Sequence, residues 1–318
     1  TKTAGGSSGG AAVAAALGMG ALHVGTDGGG SIRIPAGFSG IFGLKPSYGR
    51  VPAYPASQFG DVAHIGPMTR SVEDAAMMLS VIAGPDSRDW QALPADGCDY
   101  RAGLAGGVAG LRIAFSPDLG YVQVDPEIAQ SVAAAADVFR GLGATVELAS
   151  PGFDDPIDIF NRVWYSGAAV ALGAIPESLH GDIDPGLRTI AAKGAAYPHM
   201  DYMAATQRRA ALGRTVSAFF EHHDLLLTPT LPVPAFAAGV EVPPDSGYQR
   251  WTEWTPFTYP FNLTQNPAAA VPCGFTSTGL PISLQIVGRR HADAAVLRAA
   301  YAFEGAHPIE LPEMTGKS

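Results

Sequence analysis

The chain reads as an α/β protein whose central sheet is covered by helices on both faces, and three observations carry that reading. Residues 111–115 and 144–148 are short apolar strands flanking a helical stretch at 126–142, a βαβ pattern. A small, apolar segment at 9–20 feeds a further strand at 21–24, so helix and strand periods alternate from the start. With 318 residues, of which 47% are hydrophobic, the chain can bury a large core.

Taken in order, residues 9–20 suit a buried helix, because slim side chains permit close packing, and 21–24 lead as a strand into a glycine-rich loop. Residues 71–83 have helical spacing and an acidic first turn, and Gly84-Pro85 stops them. The βαβ unit follows. Residues 154–175 and 201–222 read as helices, 225–227 and 268–271 as strands, and 292–304 as a final helix. The aromatic run WTEWTPFTYPF at 251–261 is broken by prolines and reads as loop.

A net charge of −9 argues against nucleic acid or an anionic membrane surface as a partner. No apolar run reaches the length of a membrane span. Cys98 and Cys273 lie far apart and suggest neither a disulfide framework nor a metal cluster; Cys273, in AAAVPCGF, reads as a packed strand residue. His222-His223-Asp224 invites a metal reading, but adjacent histidines point in different directions from a helix end.

The chemistry concentrates near the start of the chain. Gly5-Gly6-Ser7-Ser8-Gly9-Gly10 is followed, one helix length later, by Gly25-Thr26-Asp27-Gly28-Gly29-Gly30-Ser31-Ile32-Arg33. Serines set among glycines suit a nucleophile and its proton relay. A bare backbone lets substrate approach, and consecutive N–H groups can turn inward onto a developing oxyanion. A phosphate cradle is the rival reading. It lacks the Lys of a P-loop, since Ala11 and Ala12 follow Gly10, and only Thr1-Lys2-Thr3-Ala4 precede Gly5 where a dinucleotide fingerprint needs a strand. A purely structural role for two glycine-rich turns stays open on these residues alone.

GGSSGG, GTDGGGSIRIPA and GIFGLKPSYGRVP together resemble the amidase signature family, as do GPMTRSVEDAA at 66–76, LLLTPT at 225–230 and LPISLQIVG at 280–288. The resemblance implies a mixed central β-sheet with helices on both faces, and residues 1–318 as one domain. Within it, 1–85 would be the signature core, 86–260 a variable substrate-side region and 261–318 the C-terminal strands and helix. It implies a carboxamide hydrolase with a Ser, cis-Ser, Lys triad. Ser31 matches the acyl-accepting nucleophile and Ser7 the bridging serine whose peptide bond is cis. The N–H groups of Gly28, Gly29, Gly30 and Ser31 match the oxyanion hole, and Ser8, Thr26, Asp27 and Arg33 match positions that buttress these loops. No cofactor is implied. The partner is a small amide, the location cytoplasmic, and the assembly a monomer or a homodimer.

The family's catalytic lysine lies upstream of GGSSGG, so the resemblance implies a preceding segment that this chain lacks. Lys2 falls where the family has loop, Lys45 matches a structural position after the signature, and Lys193 and Lys317 read as solvated. Trp164 and Tyr165 in a helix, with Trp254 and Phe257 in the aromatic run, are candidates for a pocket favouring an apolar or aryl acyl group; the bland reading is that most of them cap the core. The alternative function is a glutamine-hydrolysing component of a transamidation complex, or a non-catalytic protein of the same fold. The segment 201–230 looks more like stand-alone amidases.

Overall fold

Position in a sheet decides how polar a strand can be, because a strand with neighbours on both sides and helices on both faces shows nothing to water. The computed structural model describes residues 1–95 and 97–308. Among these, eight strands form one sheet: β1 (Leu22–Asp27), β2 (Phe42–Lys45), β3 (His64–Thr69), β4 (Arg112–Phe115), β5 (Thr145–Leu148), β6 (Leu225–Pro229), β7 (Ala268–Phe275) and β8 (Pro281–Gly288). Their order is β1-β3-β2-β7-β8-β6-β4-β5. The interior strands β2 and β6 are buried at every residue, whereas β1 and β5, at the two ends, alternate with or expose their side chains. The sheet is mixed: β4 pairs in parallel with β5 and β6, and the remaining pairs are antiparallel. Residues 1–85, 86–260 and 261–318 all contribute strands to it.

Alternation of side chains sorts the core onto two faces. Ile113 and Phe115 of β4, with Leu225 and Leu227 of β6, pack against α3 (Val72–Ile82), α4 (Pro126–Gly141) and α9 (Asp293–Ala306). There Phe139 and Phe303 stack at 5.4 Å. Ala114 and Leu226 point the other way, onto α5 (Ile157–Gly173) and α7 (His199–His222) through Phe160, Leu212 and Phe220. On that face too, α1 (Gly9–Ala16) and α2 (Arg33–Ser39) cover Met68 and Ala270. Each fully buried Leu or Phe contributes about 1.5–3 kcal/mol. The helices between these elements are α6 (Pro185–Ala195) and the short α8 (Pro260–Leu263).

The βαβ unit and the helix at 72–82 form where expected. Ser71 Oγ accepts from Asp74 N at 3.2 Å, capping α3. Asp125 caps α4 through Glu127 N at 2.9 Å, with Pro126 in the first turn where its missing N–H costs nothing. Two expectations change. The first helix ends at Ala16, not at residue 20, and only Ala12 and Ala15 are buried, because α1 lies near the β1 end of the sheet and packs on one side. Val13, Leu17 and Met19 remain exposed. The strand after it runs on to Asp27, so it carries the start of the glycine loop. Strands β2, β3 and β8 and helices α2, α6 and α8 escaped the pattern reading, β3 because Gly66 and Pro67 interrupt its apolar period. Lys317 lies outside the described residues.

Candidate active site

Ser8 joins the two glycine-rich loops. Its Oγ accepts from Thr26 N at 3.0 Å and donates to Thr26 O at 3.2 Å, and its N–H donates to Ser31 O at 3.2 Å. The 5–10 turn is thereby held against the 27–33 turn, and Ser7 and Ser31 line one cavity. The Gly6–Ser7 peptide bond is cis. Gly5 has φ +74°, and a Cβ there would meet Ile34 Cγ2 at 2.9 Å, so the turn closes onto α2 only with glycine. Ser31 is buried and Ser7 is exposed on the cavity side of the turn.

Asp27 organises the second loop around its carboxylate. Oδ1 accepts from Gly30 N at 2.7 Å, and Oδ2 from Ile32 N at 3.3 Å and Arg33 N at 3.4 Å. Arg33 closes the ring with Nε to Oδ2 and Nη2 to Oδ1, both at 2.9 Å. Its remaining donors go to Thr258 O at 2.9 Å, Gln285 Oε1 at 2.7 Å and Asn262 Oδ1 at 2.6 Å. Neither charged side chain is exposed. Burial alone would raise the Asp27 carboxyl, but the Arg33 guanidinium and its hydrogen bonds outweigh it and hold the group well below the usual carboxylate range.

Among the described residues, the N–H groups of Gly28, Gly29 and Ser31 donate to no protein acceptor. Gly30 differs from the expectation: its N–H is taken by Asp27, so it shapes the loop instead of facing a substrate oxygen. Aromatic rings press on the same turn. A Cβ on Gly28 would meet Trp164 Cζ3 at 2.6 Å, and one on Gly29 would meet Phe160 Cζ at 2.6 Å. These rings belong to a column in which Tyr259, Phe160, Trp164 and Phe59 stack at successive centroid distances of 5.0, 5.5 and 3.9 Å.

The cavity has a volume of about 380 Å³. Its wall is formed by Ile34, Trp164, Phe236, Val240, Trp251 and Trp254, with Thr3 and Glu241 as further polar lining. Two of the four pocket candidates therefore lie elsewhere. Tyr165 follows Trp164 by one residue on α5, turns onto Ile190 and Ala191 of α6 and stacks on Tyr197 at 6.4 Å. Phe257 is fully buried in the core under α5 and α7.

Of the lysines, Lys45 is fully buried, donating to Asn266 O and Pro46 O; burial and the Arg33 charge hold its ammonium pKa well below the ordinary value. Neither Lys2 nor Lys193, both exposed, lines the cavity. His223 is engaged by Glu147 at 2.8 Å and stacks on Phe219, and burial pushes the Cys273 thiol up to about 12. Asn262 and Gln285 were not foreseen. Gln285 left one trace, a polar residue inside the apolar run PISLQIVG.

The family model described as Amidase matches residues 1–297. The acylamidase of Rhodococcus erythropolis is 38% identical over 314 residues, covering 96% of this chain and 66% of that protein. One component of the glutamyl-tRNA(Gln) amidotransferase of Synechococcus sp. (strain CC9902), its A chain, is 37% identical over 332 residues, covering 96% and 67%. The solved structure of a bacterial aryl acylamidase of the amidase signature family superposes with a TM-score of 0.89 at 33% identity, covering 97% of this chain and 66% of that one. The chain thus spans about two thirds of the length of these relatives.

Proposed function

The chain belongs to the amidase signature family, and on that premise we propose that it carries the nucleophile, relay and oxyanion loop of a hydrolase cleaving a carboxamide C–N bond. The observation that carries this reading is the shared cavity: Ser8 ties the two loops so that Ser7 and Ser31 open onto one apolar space beside uncommitted backbone donors.

In this reading Ser31 Oγ attacks the carbonyl carbon while its proton passes to Ser7 Oγ, and the Ser7 proton passes on to a base. The carbonyl oxygen becomes an oxyanion that the N–H groups of Gly28, Gly29 and Ser31 can receive. Collapse breaks the C–N bond, the relay returns a proton to the leaving nitrogen, and water then hydrolyses the Ser31 ester by the same route. By the resemblance, the base is a lysine in the family's upstream position, which these 318 residues do not include. Lys45 is no substitute, since it lines no common space with the serines.

The substrate is a small amide, and a cytoplasmic location belongs to the same reading; no helix among the described residues is long and apolar enough to cross a membrane. Light scattering decides between monomer and homodimer. Glutamine hydrolysis within a transamidation complex is the alternative, favoured by the amidotransferase relatives, and copurified partner proteins of such a complex would establish it. The direct test uses the full-length protein. A fluorophosphonate should label Ser31, and Ser31→Ala should abolish both label and turnover; labelling elsewhere with Ser31 untouched would sink the assignment.

A further inference from the structure

Among the described residues, one ionisable side chain lines the cavity that holds Ser7 and Ser31. It is Glu241; the other lining side chains are the hydroxyls of Thr3, Ser7 and Ser31 or are apolar. Glu241 is tied to both tryptophans of the upper wall. Its Oε1 accepts from Trp251 N at 3.1 Å, and its main-chain oxygen accepts from Trp254 Nε1 at 3.0 Å. Arg250 Nε lies 3.3 Å from Oε1 but does not line the cavity, and it is the more buried partner, 17% exposed against 38% for Glu241. The carboxylate is therefore held by a guanidinium and a main-chain N–H at the cavity wall, where Glu241 is part of the lining.

Resting on the amide-hydrolase reading, we propose that this site selects amides with an apolar or aryl body that are neutral or carry an amine, and rejects those carrying a carboxylate. An ammonium placed against Glu241 gains the attraction of its carboxylate in a cavity walled by apolar side chains. A carboxylate in the same place faces the like charge of Glu241. Free glutamine, which brings an α-carboxylate, is disfavoured for that reason. Because Glu241 is partly exposed and paired, the discrimination is moderate and screened by salt.

The test uses the full-length enzyme and two sets of matched amides. Each set compares a methyl, an aminomethyl and a carboxylate substituent at one ring position, carried on the acyl group in one set and on the amine in the other. The kcat/KM ratio of cation to anion should be about tenfold or more in at least one set and should shrink with added salt. Glu241→Gln should bring it to within about twofold. Equal ratios in both sets, or a preference unchanged in Glu241→Gln, overturn the proposal. Failure to turn over the neutral members would overturn the amidase reading instead. In that event, tryptophan fluorescence still decides the charge preference by comparing benzylammonium with benzoate, and tighter binding of benzoate overturns it.

Discussion

Beneath the Ser31 loop lies a charged network sealed from water; against its outer side stands an aromatic wall open to the cavity. In the network, the five N–H donors of Arg33 meet five acceptors, on Asp27, Thr258, Gln285 and Asn262. Such an arrangement has one geometry, because moving any member strands a buried charge. In the wall, Trp164 and Trp251 touch the loop through dispersion alone, at a centroid distance of 5.4 Å from each other and half-buried. Dispersion falls off gradually, so a ring can be exchanged for another of similar size. On the amide-hydrolase reading, the first device would fix the chemistry and the second would tune the specificity.

The sharpest way to break that contrast is Arg33→Met, which leaves the Asp27 carboxylate buried and unpaired. It should cost about 3–5 kcal/mol in denaturant unfolding, and adding Asp27→Asn should recover part of the loss. A cost under about 1 kcal/mol would show that the network is not what holds the loop. Asp27 also gives the contrast a pH signature. Its folded pKa is depressed, so its contribution is fully present above the unfolded value of about 4 and is lost as pH falls toward the folded one. Asp27→Asn should therefore flatten the acid limb of the stability profile.

Trp164→Ala comes next, at about 2–3 kcal/mol, less than a fully buried Trp because one side of the ring faces the cavity. It should raise KM for aryl amides and also lower kcat, since the ring presses on Gly28. Trp164→Phe should restore most of both. A pure KM effect would separate the wall from the loop.

How much of this the sequence disclosed follows from distance along the chain. Ser7, Ser8, Asp27, Ser31 and Arg33 fall within one short stretch, so the two glycine-rich motifs, and the family resemblance they carry, named them together. Their buried partners Asn262 and Gln285 lie 229 and 252 residues from Arg33, and nothing local marks where β8 will pass. The aromatics failed for a related reason: Trp164 and Tyr165 are equally apolar in sequence, and only the docking of α6 decides which of them faces inward. The segment 9–20 suits a buried helix on its sequence because small residues look alike on every side, whereas its actual cover is one-sided.

The smallest expected effect concerns the tie between the loops. Ser8→Ala removes two side-chain hydrogen bonds to Thr26 and should cost about 1–2 kcal/mol, read as a fall in melting temperature. Activity should drop further than stability, because Ser7 and Ser31 lose their common frame. Activity and melting temperature falling in step would reduce Ser8 to an ordinary structural residue.

The bond from Arg33 to Gln285 also sets a calendar for biosynthesis. The loop that carries Ser31 is synthesised well before one partner of its network, Gln285, which lies 252 residues after Arg33 on the eighth strand in the middle of the sheet. Until then one of the five acceptors of Arg33 is missing, and the network beneath the Ser31 loop is incomplete. On the amide-hydrolase reading, Ser31 should gain its full reactivity only once that strand is in place, and a serine-reactive probe applied to arrested chains of increasing length would show when that happens.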